Sequence, residues 1–166
     1  MNQVLCSTVV VAGVLTSFAS AAQNANPVGD WTLVSMTFVN ADTGESTRPW
    51  GANPVGQLTY SDNGRMIAVL TADPKSRKPV DATSDKANEE RAALYSSSSA
   101  YSGTWTAVGN TVTHKVDIAV AAVWVGTDQV RYVRLDKDDL TIDTPPILQT
   151  DGKTKYKVSL VWRRVK

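Results

Sequence analysis

Along most of this chain apolar residues fall at every second position, in short runs. Trp31, Leu33, Ser35, Thr37 and Val39 alternate with Thr32, Val34, Met36 and Phe38. Tyr101, Gly103, Trp105 and Ala107 alternate with Ser102, Thr104, Thr106 and Val108. In the next run Val112, His114, Val116 and Ile118 share one face, opposite Thr111, Thr113, Lys115 and Asp117. Residues 129–135 place Arg131, Val133 and Leu135 together, Leu140 and Ile142 continue an inward row, and 156–165 form a last run. A period of two sends successive side chains to opposite faces of a pleated strand, so each run predicts a strand with one buried face.

The connections carry turn chemistry. Asn63-Gly64 sits between two strand-like runs and predicts a two-residue type I′ hairpin. That register pairs Asp62 with Arg65, Tyr60 with Ile67 and Leu58 with Val69, so Leu58, Tyr60, Ile67 and Val69 share a face and Asp62–Arg65 is a surface ion pair. Gly109-Asn110 and Lys137-Asp138-Asp139 read as further turns, and residues 40–54 and 144–153 as loops. Trp50, inside the first of these loops, reads either as a cap on the core or as a lid over a pocket mouth. The loop 71–81 holds Pro74 and Pro79, with Lys75, Arg77 and Lys78 read as solvated.

Only residues 84–100 break the period of two. Ser84 suits a helix cap and Asp85 its first turn, while Ala87, Arg91, Leu94 and Tyr95 make one stripe. Glu89 and Glu90 read as a solvated helix face. The pattern predicts an all-β fold: a closed, antiparallel, up-and-down β-barrel of about eight strands, with one short helix inserted after the third strand. Closure removes exposed strand edges, and eight strands enclose just enough space for side chains or one small ligand.

Composition narrows the partners. At 166 residues the chain suits one domain, and a net charge of +1 argues against nucleic acid or an anionic membrane surface. Val4 to Ala19 is almost wholly apolar or small and ends at Ala19-Ser20-Ala21. This predicts a signal peptide over residues 1–21, a spacer over 22–28 and the barrel domain over 29–166, in a secreted or periplasmic protein with no membrane attachment after cleavage. The n-region holds no Lys or Arg, and a membrane anchor is the competing reading of the segment. Cys6, the single cysteine, falls within it, which leaves the exported domain no disulfide and no thiolate. With one histidine and no cysteine there, neither a metal site nor a cofactor is expected.

Two polar residues interrupt apolar faces. His114 reads as a hydrogen-bonded core histidine or as a pocket anchor or general acid/base, since its ordinary pKa is near neutral. Arg131, if it points inward with Val133, needs a partner and suits a carboxylate or other acidic ligand group. If residues 126–129 contain a bulge, its parity flips and it is solvated. Tyr60, Tyr101, Trp105 and Trp124 would supply aromatic walls and hydroxyl donors, with core packing as the alternative for each.

The order of local motifs is similar to that of a known family. Gly29-Asp30-Trp31 resembles the G-x-W of the lipocalin superfamily, within the calycins. Trp162-Arg163-Arg164 supplies the basic residue that such barrels stack on that tryptophan, so Gly29, Trp31 and Arg163 or Arg164 are the implied closure of the barrel base. Residues 54–60 with 63–66, 100–105, 112–116, 124–131, 140–142 and 144–146 resemble, in order, the bacterial and fungal lipocalin-like domain family. The resemblance spans residues 26–165. It implies a cavity for a small, largely apolar molecule, with an acidic group suiting Arg131. His114, Arg131, Tyr60, Tyr101, Trp105 and Trp124 are the candidate ligand-binding residues. It equally admits a cyclase or isomerase of a natural-product pathway using the same cavity, and the residues leave the choice between binding protein and enzyme open. Oligomeric state is not written in the sequence.

Overall fold

The computed structural model describes residues 26–149 and 152–166; the expected leader and most of the spacer lie outside them. In chain order the elements are β1 (Gly29–Asn40), β2 (Ser46–Thr47), β3 (Val55–Tyr60), β4 (Arg65–Thr71), α1 (Ala87–Ser96), β5 (Ser98–Val108), β6 (Thr111–Ala119), β7 (Asp128–Asp136), β8 (Asp139–Asp143), β9 (Ile147–Leu148) and β10 (Lys155–Arg164). Each long strand pairs antiparallel with the next, and β10 pairs with both β8 and β1. The sheet is therefore a closed up-and-down barrel of eight long strands, with the two-residue β2 and β9 as short additions at its rim. The helix follows β4, the third of the long strands.

Three irregularities reset which side chains face inward, and each departs from strict alternation. In β1 a bulge between Leu33 and Ser35 sends Trp31, Leu33 and Met36 to the core and leaves Val34 outside. One extra residue in a strand inverts the parity of everything beyond it. Ser35, Thr37 and Val39 therefore do not continue the Trp31 face; Met36 and Phe38 do.

The second irregularity is at the hairpin. Only Gly64 of the Asn63-Gly64 pair adopts a positive φ, at 81°. The Ser61 amide donates to Arg65 O, the Gly64 amide to Ser61 O and the Arg65 amide to Asn63 Oδ1. The loop is thus one residue longer than a type I′ turn, and glycine fills the left-handed position of a bulge-type hairpin. The register moves by one: Tyr60 pairs with Met66 and Leu58 with Ala68. Met66, Ala68 and Leu70 face inward, and Ile67 and Val69 are 49% and 45% exposed outside. Arg65 pairs with Asp117 across the sheet rather than with Asp62.

The third is in β6, where the pairing steps from Gly103↔Val116 to Ser102↔Ile118. Val112, His114 and Val116 point inward, but Ile118 is turned out, 66% exposed. Gly103 makes room for this bulge: a Cβ there would lie 2.0 Å from Lys115 O. On β7, Arg131 and Val133 are buried, while Leu135 on the same face reaches the barrel end and is exposed.

At the barrel base the first and last strands meet. Arg164 stacks 4.1 Å from the Trp31 ring centroid and donates to Val28 O at 2.8 Å, while Trp31 Nε1 donates to Pro27 O. Arg163 points outward and pairs with Asp139, so Arg164 alone is the closing arginine. At the opposite rim Asp73 accepts from the amides of Asn53 and Lys75 and from Asn53 Nδ2. These bonds hold its carboxyl below the ordinary carboxylate range, the Lys75 amide first among them, and tie the Trp50 loop to the end of β4. Ser84 does not cap α1 itself. Its hydroxyl accepts from the Lys86 amide one turn earlier, and the helix begins at Ala87. Arg77 is not merely solvated: it donates to Leu94 O, Ser97 O and two serine hydroxyls at the end of α1, where the unpaired carbonyls of a helix need donors.

Candidate functional site

The inward faces do not fill the barrel. A cavity of about 490 Å³ remains, within the range of small-molecule sites, which is about 300–1,000 Å³. Its wall is mostly the inward rows: Met36 from β1, Leu58 from β3, Ala68 and Leu70 from β4, Ile142 from β8, and Val158, Leu160 and Trp162 from β10. The rim comes from the connections. Trp50 from the β2–β3 loop, Tyr95 and Ser96 from the end of α1, and Val120, Ala121 and Trp124 from the β6–β7 connection all border the cavity. That connection is apolar yet forms no strand; a single 3₁₀ turn, Ala122–Trp124, brings Trp124 against Tyr101, with ring centroids 5.3 Å apart.

His114, Tyr101, Arg131 and Trp124 line this cavity. Tyr60 and Trp105 do not border it. They pack beneath His114 as a second layer, edge to face with centroids 5.2 Å apart, and Trp105 Nε1 is engaged by Ser61 O.

Tyr60, His114 and Tyr101 form one hydrogen-bonded chain. The Tyr60 hydroxyl lies 2.6 Å from His114 Nε2, and the Tyr101 hydroxyl 3.1 Å from His114 Nδ1. His114 is 1% exposed, and burial, reinforced by the Arg131 charge, pushes its pKa down to about 3. The imidazole is therefore neutral at neutral pH, with one N–H donor and one bare nitrogen acceptor. Burial likewise raises the Tyr60 phenol well above its ordinary pKa, with Tyr101 adding to the rise and Arg131 opposing it.

The direction of the chain follows from satisfaction. Tyr60 is 1% exposed, and its hydroxyl meets no partner but His114 among the described residues. Were it the acceptor, its own proton would be buried without a bond, at a cost of about 1–3 kcal/mol. Tyr60 therefore donates to Nε2, Nδ1–H donates to the Tyr101 oxygen, and the Tyr101 O–H is left to point its proton at the cavity.

Arg131 faces inward. It is 8% exposed, and the guanidinium donates to Val130 O at 2.7 Å. None of the ion pairs among the described residues involves it. No other formally charged residue lines the cavity, among the described residues. Sequence alternation marked Arg131 but not Trp162, a buried cavity residue whose indole N–H has no acceptor among the described residues. The signal for Trp162 was present in the last run, where Val158, Leu160 and Trp162 share one face and only the tryptophan carries a polar atom.

Among the described residues no group of three or more His, Cys, Asp or Glu side chains is placed to hold a metal ion, and no helix is long and apolar enough to cross a membrane. The arrangement thus offers an apolar barrel interior, one cation and a hydroxyl donor held by a neutral histidine.

A search of curated protein sequences returns no match for the chain. The family profile described as a lipocalin-like domain matches residues 28–165, a span that takes in every strand from β1 to β10. With the Trp31–Arg164 closure and the closed eight-stranded barrel, that match makes this chain a member of the lipocalin-like domain family.

Proposed function

We propose that this protein is a carrier that holds one small, largely apolar molecule inside its barrel, and that it works outside the cytoplasm after loss of an N-terminal signal peptide. The family and fold support a ligand-binding protein of the calycin type. The observation that carries the reading is the unfilled interior: about 490 Å³ bordered mostly by apolar and aromatic side chains. A barrel serving only as a rigid envelope element would fill that space with bulky residues. Ala68 and the small rim residues Ser98 and Ser99 leave it open. Export rests on the apolar run Val4 to Ala19 and its small-residue end.

The cyclase or isomerase reading would require a group that moves protons at neutral pH. His114 is a poor proton acceptor there, because both ring nitrogens are engaged and its pKa is near 3. The Tyr60–His114–Tyr101 chain is better suited to orienting a ligand than to transforming it.

The test is titration with a neutral, environment-sensitive dye such as N-phenylnaphthylamine. Saturable binding of one dye per chain, displaced by other apolar compounds, is the expected result. An absence of saturable binding by any neutral apolar probe would sink the carrier reading. Amino-terminal sequencing of protein recovered from the cell exterior should begin near Ala22; a retained Met1 would remove the export proposal.

A further inference from the structure

The cavity wall carries donors that meet no acceptor among the described residues. A guanidinium carries five N–H donors, and among the described residues only the bond to Val130 O engages Arg131. A cation this buried is costly unless it is paired, and the cavity wall provides no carboxylate among the described residues. Trp162 adds a second, a buried indole N–H with no acceptor among the described residues. Tyr101 adds the third, a hydroxyl whose proton faces the cavity because His114 donates to its oxygen. All three are donors, so the missing groups are acceptors, and next to Arg131 the missing group is an anion. The rest of the wall is mostly apolar, with Met36, Leu70 and Val158 suiting a hydrocarbon body and Gln129, Thr144 and Gln149 as polar members of the lining.

We infer that the ligand is an amphipathic carboxylic acid, bound with its carboxylate on Arg131 inside the barrel and its apolar body along the opposite wall. This rests on the carrier reading and names its ligand class. The carboxylate is planar and matches the guanidinium fork with two parallel bonds, which a neutral oxygen cannot do. The Tyr101 hydroxyl is the natural second donor to such a head group. Apolar matter alone would leave Arg131 desolvated and unpaired, so a neutral ligand of the same size is penalised.

The experiment compares acids with their own methyl esters as competitors of bound N-phenylnaphthylamine, using decanoic acid and a phenylalkanoic acid above their pKa. In the wild-type chain each acid should displace the dye at a concentration at least about tenfold below its ester. In Arg131→Gln the preference should vanish, read as the ratio of ester to acid displacement within the one variant so that any change in its affinity for the dye cancels. Arg131→Lys, which keeps the charge but not the fork, should retain part of it. Equal displacement by acid and ester in the wild-type chain would overturn the assignment, whatever the variants do. So would a preference that survives in Arg131→Gln, or a panel in which no acid displaces the dye. If the neutral dye itself fails to bind, the carrier reading falls first, and the two failures are thereby told apart.

Discussion

The Tyr60 hydroxyl donates to Nε2 of His114 across 2.6 Å, deep under the cavity floor, although 54 residues separate them in the chain. The bond fixes the imidazole tautomer and, through Nδ1, the orientation of Tyr101. Tyr60→Phe removes the donor and leaves a buried nitrogen acceptor bare. The variant should lose about 1–3 kcal/mol, seen as a lower urea midpoint with an unchanged slope. Tyr101→Phe should cost less, because the freed Nδ1–H borders a cavity that water can enter. Equal losses in the two variants would contradict the assigned direction of the chain.

His114 also sets how the fold responds to acid. Its pKa is lowered from 6.5 to about 3 in the folded state. Between those values the unfolded chain binds a proton that the folded chain does not, so stability falls as pH falls. The contribution is complete above pH 6.5 and erodes progressively down to about pH 3. One group of this kind costs about 2 kcal/mol between pH 7 and pH 5, where few carboxylates titrate. Urea midpoints measured at those two pH values should show that loss, and His114→Gln should flatten it. A wild-type midpoint unchanged across this interval would mean that the imidazole is not neutral and buried in the fold.

The two neighbouring arginines near the C-terminus should behave differently. Arg164 covers the Trp31 ring and bonds Val28 O, tying the first and last strands together at the closed end. Cation–π stacking of a partly desolvated guanidinium contributes about 1–2 kcal/mol, so Arg164→Ala should lower the thermal midpoint by several degrees. Arg163 lies outside in a solvated pair with Asp139, and Arg163→Ala should leave the midpoint nearly unchanged. Scanning calorimetry of the two variants decides the matter, and an equal drop in both would refute the division of roles.

The strands and their closure could be read from the period of two, because each long run had one strongly apolar face. The exact faces could be read only where alternation was unambiguous. In residues 33–36 both parities contain apolar side chains, Leu33 on one and Val34 and Met36 on the other, so nothing local announced the bulge. Asn63-Gly64 satisfies a two-residue turn as well as the longer loop it adopts, and the difference lies in Ser61 and Arg65 bonding across it. Arg131 was legible as an oddity because a charge is rare on an apolar face. Whether it pointed inward depended on the backbone between Gly126 and Gln129, where the amide of Gly126 and the carbonyl of Thr127 close onto Val116 without inverting β7. Tyr60 and His114 could each be suspected of polarity at the core, but their pairing is set by barrel curvature across the two intervening strands, β4 and β5, and by no local pattern. The cavity itself is a residue of packing, and no single position encodes it.

Gly103 gives the most direct test of the β6 bulge. Its backbone is ordinary strand, so the need for glycine is space rather than a left-handed φ. A Cβ would lie 2.0 Å from Lys115 O and 2.8 Å from its carbonyl carbon, which are backbone atoms and cannot swing aside. In the unfolded chain an alanine would help by about 0.4–1 kcal/mol through lost entropy. The clash should outweigh that gain, since overpacking costs about 1–3 kcal/mol and here falls on a sheet ladder. Gly103→Ala is therefore expected to lower the urea midpoint and to weaken the Arg65–Asp117 pairing beside it. Gly103→Val should do more of both. Amide exchange along β5 and β6 would localise the effect to residues around Ser102 and Val116, and a Gly103→Ala chain as stable as the wild type would show that the two strands approach less closely than 2.0 Å implies.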